Sequence, residues 1–123
     1  MRYITVHEAI FIHDALIRAH GGADGIRDRG LIEAALLRPQ TGYYADLIEE
    51  AAALWESLSM NHGFVDGNKR VGFACMDMFL DLNGMQITSS DEEAIAFIYH
   101  HLESGTFTKD NLDVWLRANT AKN

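Results

Sequence analysis

Apolar side chains recur along this chain at intervals of three and four residues, and β-branched alternation is scarce, so the pattern predicts helices almost throughout. Val6, Ile10, His13 and Ile17, with Ala9 and Leu16, share one face of a first helix. Thr5 opens it as N-cap, and Glu8 completes a capping box. Gly21-Gly22 ends it, and Gly21 through Gly30 reads as a loop. Asp28 caps a short second helix through Leu37, closed by Pro39, because a residue before proline leaves the α region. Thr41-Gly42-Tyr43-Tyr44 connects to a third helix from about Asp46 to Met60. There Leu47, Ala51, Leu54 and Leu58 form a stripe widened by Ile48, Ala52 and Trp55, with Glu49, Glu50, Glu56 and Ser57 opposite.

The fourth helix, about residues 68–83 with Gly84 as its stop, differs in kind. Val71, Phe73, Ala74, Cys75, Met76, Met78, Phe79, Leu80 and Leu82 surround most of its circumference, leaving only the row Arg70, Asp77 and Asp81 polar. Such a helix belongs at the centre of a bundle and is expected to be its most buried element. After the extension Met85-Gln86-Ile87-Thr88, Ser90 and Glu93 form a second capping box. They open a fifth helix carrying Ala94, Ile95, Ile98 and Leu102, which Gly105 closes. A last helix near Asp110 to Asn119 carries Leu112, Trp115 and Leu116, and the tail beyond it is expected to fray. The prediction is an all-α fold: one domain over residues 1–123, a bundle of about six helices around a buried central helix.

Composition narrows what such a bundle does. At 123 residues it buries an ordinary core without staples. One cysteine, Cys75, excludes an internal disulfide and suits a reducing cytosol, where it packs as a small hydrophobe. No signal peptide and no membrane-length apolar run is visible, so a cytoplasmic location is expected. A net charge of −8 argues against direct nucleic-acid binding.

Against that acidity stands His62-Gly63-Phe64-Val65-Asp66-Gly67-Asn68-Lys69-Arg70, ahead of the central helix. Glycines and Asn-Lys-Arg make a poor helix interior but a good loop entering a helix. The first N–H groups of that helix have no carbonyl partner and favour an anion, and Lys69 and Arg70 add full charges there. Cations at a helix N-terminus run against the helix dipole, which favours a functional role over a solvated face. The residues define an anion site, a phosphate site above all, with a potential base (His62) and a potential metal ligand (Asp66) beside it. Asp66 by itself also fits an ordinary turn or N-cap residue. His13, on an apolar face, is expected as a hydrogen-bonded core histidine. His7, His20, His100 and His101 lack partners at zinc spacing, so no transition-metal site is expected. Tyr43 and Tyr44 fit either a substrate-positioning flap or simple loop packing.

The stretch resembles the signature of the Fic/Doc superfamily, written HxFx(D/E)GNGRxxR in its Fic branch. His62, Phe64, Asp66, Gly67, Asn68 and Arg70 match it. Lys69 replaces a glycine and Phe73 the second arginine, and both departures are similar to the Doc branch, the "death on curing" toxins. His13-Asp14, Gly25-Ile26-Arg27-Asp28 and Asn83-Gly84 also resemble that branch. The resemblance implies a Fic/Doc-like helical domain. It also implies a toxin that transfers the γ-phosphoryl of ATP to a threonine of a translation factor, elongation factor Tu, and so stops translation. By that resemblance His62 is the base, Asp66 holds Mg²⁺, and Gly67 and Asn68 with nearby N–H groups form the anion nest. Lys69 and Arg70 neutralise phosphate charge, and Phe64 anchors the loop. A cognate antitoxin with a disordered C-terminal segment is the implied partner. Transfer of AMP or another nucleotidyl group by the same residues stays open, as does a catalytically silent partner-binding module.

Overall fold

Side-chain caps set where the helices begin. The computed structural model describes residues Met1–Asn123, in the order α1 (Val6–His20), α2 (Arg29–Leu37), a 3₁₀ turn (Arg38–Gln40), α3 (Leu47–Met60), α4 (Asn68–Leu82), β1 (Met85–Ile87), α5 (Asp91–Glu103), α6 (Lys109–Ala118) and β2 (Thr120–Lys122). Thr5 with Glu8 and Ser90 with Glu93 close full capping boxes, and Asp28, Asp46 and Thr108 each accept from an N–H in the first turn. Each such bond stabilises its helix by about 1 kcal/mol. Pro39 does not stop the chain outright. It enters at the start of the 3₁₀ turn, where its missing N–H would have had no helical partner.

One cluster of 20 buried residues forms the core. The deepest element is α3, not α4 as the apolar pattern predicts: ten of its 14 residues are buried, against seven of 15 in α4. Helices α2, α4 and α6 pack around α3, whereas Phe73 and Ala74 of α4 stay half-buried and Met78 is exposed. Trp55 of α3 is fully buried, with the rings of Phe73, Phe97, Phe107 and Trp115 packed about it. Enclosure on every side also overturns the expected solvent face of α3, since Glu50 and Ser57 are buried.

Glu50 Oε1, Trp55 Nε1 and Ser59 Oγ of α3 have no hydrogen-bond partner, but the polar side chains at its edge are paired. Arg38 donates to Glu56 Oε1 at 2.7 Å, Ser57 Oγ at 2.8 Å and the Tyr44 hydroxyl at 2.6 Å. Lys109 Nζ lies 2.7 Å from Glu49 Oε2 and 5.5 Å from the Tyr44 ring centroid. Tyr44 therefore packs the loop between two cations, while Tyr43 is 83% exposed.

Helices α3 and α4 come into close contact at Gly72. A Cβ there would collide with Ser59 Oγ and lie 3.1 Å from the Ser59 backbone nitrogen. Gly72→Ala is accordingly expected to force the pair apart and lower stability by about 1–3 kcal/mol. Urea unfolding reads this as a reduced midpoint with an unchanged slope.

The tail does not fray. Thr120–Lys122 pairs antiparallel with Met85–Ile87, and the Thr88 N–H donates to the Asn119 carbonyl at 2.8 Å. Backbone pairing holds a segment too polar to be held by burial. The other terminus is fastened nearby, where Asn83 exchanges two 2.8 Å hydrogen bonds with the Arg2 backbone. No helix is long and apolar enough to cross a membrane.

Candidate active site

Four backbone features shape the loop between α3 and α4. Past Asn61, the C-cap of α3, His62 takes φ 55°, a left-handed conformation that histidine adopts more readily than most residues. Gly63 follows because nothing larger fits: a Cβ there would lie 2.5 Å from Ile32 Cγ1. Its carbonyl accepts the N–H groups of Arg27 and Asp28, both at 2.9 Å, and the Val65 N–H donates to the Gly25 carbonyl at 3.0 Å. The loop is thus zipped to the glycine-rich segment before α2, with Ile26 bridged to Phe64. Arg27 locks it further by donating to the His62 carbonyl at 2.6 Å.

Below the loop, Phe64 is buried, and its ring stacks on that of His13 with centroids 3.9 Å apart. His13 Nε2 lies 2.7 Å from the Asp66 carbonyl. The expected core histidine is therefore only half-satisfied, because its Nδ1 has no hydrogen-bond partner. Asn68 is also buried. Its side chain both accepts from the Phe64 N–H and donates to the Phe64 carbonyl, each at 3.0 Å. That leaves the backbone N–H, not the amide side chain, as what Asn68 offers an anion.

Asp66 ties the loop to the segment after α1. One carboxylate oxygen accepts the Ala23 N–H at 3.0 Å and the other the Gly67 N–H at 2.8 Å. These backbone donors, Ala23 first, hold its carboxyl below the usual aspartate range, helped by the charge of Arg70. Asp66 is therefore a carboxylate at neutral pH. Gly67, at φ 76°, turns the chain into α4. Alone among the six α-helices, α4 begins without a side-chain cap, and its first turn carries no acid. Its leading N–H groups and the dipole behind them are left to an external anion.

His62, Asp66, Gly67, Asn68, Lys69 and Arg70 all line one cleft of about 840 Å³. The structure thus gathers every residue of the anticipated site. The far wall comes from α5, where Ile95, Ile98, Tyr99 and Leu102 line the cleft. Periodicity assigns the aliphatic residues of that row to the core, yet Ile95 is 53% and Tyr99 62% exposed. Sequence reasoning also misses the supports: His13 beneath Asp66, Arg27 on the His62 carbonyl, and the Ala23 N–H on the carboxylate. The fragments His13-Asp14 and Gly25-Ile26-Arg27-Asp28 carry a hint of the first two, but no local signal marks the third.

A histidine-led loop at the uncapped start of α4, supported by a glycine-rich segment, defines one class of protein, and the chain belongs to the Fic/DOC family. The family's model matches residues 3–80. Among similar proteins is the Toxin Doc of Mycolicibacterium smegmatis, 45% identical over 76 aligned positions, covering 58% of this chain and 58% of that protein's length. Another is the Protein kinase doc of Escherichia phage P1, 37% identical over 98 residues, covering 76% of this chain and 78% of the phage protein.

Proposed function

We propose that this chain is a Doc-type toxin that transfers the γ-phosphoryl group of ATP to a threonine hydroxyl of a translation factor, elongation factor Tu by resemblance. One observation carries the reading: a single cleft collects an imidazole, an ionised carboxylate, two cations and the only uncapped α-helix N-terminus. Phosphoryl transfer asks mainly for positioning and charge neutralisation, with a base to orient the acceptor. In the proposed reaction the threonine oxygen attacks the γ-phosphorus in line, His62 takes the hydroxyl proton, and ADP leaves with the electron pair of the broken bond. Lys69, Arg70 and the N–H groups at the head of α4 hold the phosphate oxygens.

Asp66 fits Mg²⁺. Both of its oxygens are engaged by backbone donors, yet each keeps lone-pair capacity, and Mg²⁺ is commonly held by one carboxylate plus phosphate oxygens. When bound, the ion supplies charge neutralisation along the polyphosphate.

AMP transfer is the rival. Fic enzymes carry an arginine where Phe73 lines this cleft, and an apolar ring offers phosphate no bidentate partner. Incubation of purified elongation factor Tu with α- and γ-labelled ATP separates the two. Label arriving from the γ position alone is expected, whereas label from the α position establishes nucleotidyl transfer. Asp66→Ala is expected to abolish transfer and its Mg²⁺ dependence together; retained Mg²⁺ dependence removes Asp66 from that role.

The partner belongs to the same proposal. The exposed Ile95 and Tyr99, beside Ile98 and Leu102, form an apolar row along one side of the cleft. A disordered antitoxin segment that folds against this row would block the cleft, and coupled folding suits inhibition that can be removed.

A further inference from the structure

We infer that His13, Asp14 and Asp24 form a second cation site, selective for Zn²⁺ and similar transition ions, between α1 and the glycine-rich segment. A carbonyl oxygen only accepts hydrogen bonds, so the 2.7 Å contact to the Asp66 carbonyl places a proton on His13 Nε2. In the neutral ring, Nδ1 then carries a lone pair. That nitrogen has no hydrogen-bond partner although His13 is 1% exposed. An orphaned polar atom at such a depth calls for an explanation.

Nδ1 faces carboxylates. It lies 3.6 Å from Asp14 Oδ1, too far for a hydrogen bond, and ligand atoms of His13, Asp14 and Asp24 all lie within 4.8 Å of one another. Ligands at ordinary zinc distances of about 2.0–2.2 Å sit roughly 3.4 Å apart around a tetrahedral ion. The Asp14 side chain is 44% exposed and Asp24 is exposed, so small rotations of either close that gap. Water reaches the ion from the carboxylate side and completes the coordination.

The ligand set selects the metal. Imidazole with carboxylates suits zinc, cobalt or nickel, whereas magnesium prefers oxygen alone. Metal-bound histidines also commonly donate their second N–H to a backbone carbonyl, as His13 does here. The carbonyl in question is that of Asp66, so an ion on Nδ1 would stiffen the support beneath the motif loop while lying apart from the Asp66 carboxylate.

The test titrates chelator-treated full-length protein with Co²⁺, in excess Mg²⁺, following visible d–d absorption. One Co²⁺ per chain is expected, displaced by Zn²⁺ but not by Mg²⁺, with a Zn²⁺-dependent shift of the His13 Nδ1 resonance in ¹⁵N NMR. Asp24→Asn keeps the oxygen that accepts the Gly25 N–H at 2.8 Å, so its fold is retained while a charged ligand is lost. It is expected to weaken Co²⁺ binding at least ~10-fold, by analogy with other lost metal-site partners. No Co²⁺ binding, equal affinity in Asp24→Asn, or displacement of Co²⁺ by Mg²⁺ would each overturn the site.

Discussion

His62→Asn is expected to lower phosphoryl transfer by about 10²–10⁴-fold, the usual contribution of a positioned general base. Asparagine tolerates the left-handed backbone that His62 occupies at φ 55°, so the loop keeps its course while the imidazole is removed. His62 is exposed and its side chain holds nothing in place; only its carbonyl is bonded, to Arg27. The melting temperature should therefore stay close to that of the parent. His62→Ala should relieve toxicity in growing cells equally well, with a small loss of stability from alanine's dislike of that conformation. A catalytically silent module predicts the opposite, growth indifferent to either substitution. Single-turnover transfer and thermal melts on the same preparations separate lost chemistry from lost structure.

Asn68→Ala should act through the fold. Its amide side chain is the partner of both the N–H and the carbonyl of Phe64, and all of these groups are buried. Alanine leaves a donor and an acceptor stranded, a combined penalty of roughly 2–6 kcal/mol at about 1–3 kcal/mol for each unsatisfied group. Asn68→Asp keeps the acceptor for the Phe64 N–H but sets a carboxylate oxygen against the Phe64 carbonyl, so it too should destabilise. Denaturant unfolding gives the magnitude. Transfer should fall in proportion to the loop's disorder, and ATP affinity at low temperature, where the folded state dominates, should fall little. An amide that bound phosphate directly would show the reverse: weak binding at intact stability. Its side chain braces the loop at Phe64, which leaves only its backbone N–H for an anion.

These expectations differ in how far they could be read without coordinates. The imidazole, carboxylate and cations stand within nine consecutive residues, so their proximity follows from chain connectivity. The caps at Thr5, Asp28 and Ser90 are equally local, because each satisfies an N–H in the next turn of the same chain. Burial is not local. The apolar residues of α4 surround most of its circumference, and α3 carries no more of them than α4 does, yet more of α3 is buried while one flank of α4 lines the cleft. A count of apolar residues says how much of a helix prefers to leave water, not which neighbours are available to cover it. The tail shows the same division, since Thr120–Lys122 is polar and finds order only through β1, far away in sequence.

By itself, then, the sequence determined six helices and most of their starts, together with the loop ahead of α4 and its chemical inventory, since each depends on contacts within a few residues. Tertiary structure decided that α5 would wall the cleft, that Ala23 would hold the Asp66 carboxylate, and that His13 would support the Asp66 carbonyl with one nitrogen left free. Those contacts join elements up to 53 residues apart. They form only when the packing of α1 and the glycine-rich segment against the motif loop brings the groups within hydrogen-bonding reach, and no local pattern encodes that distance.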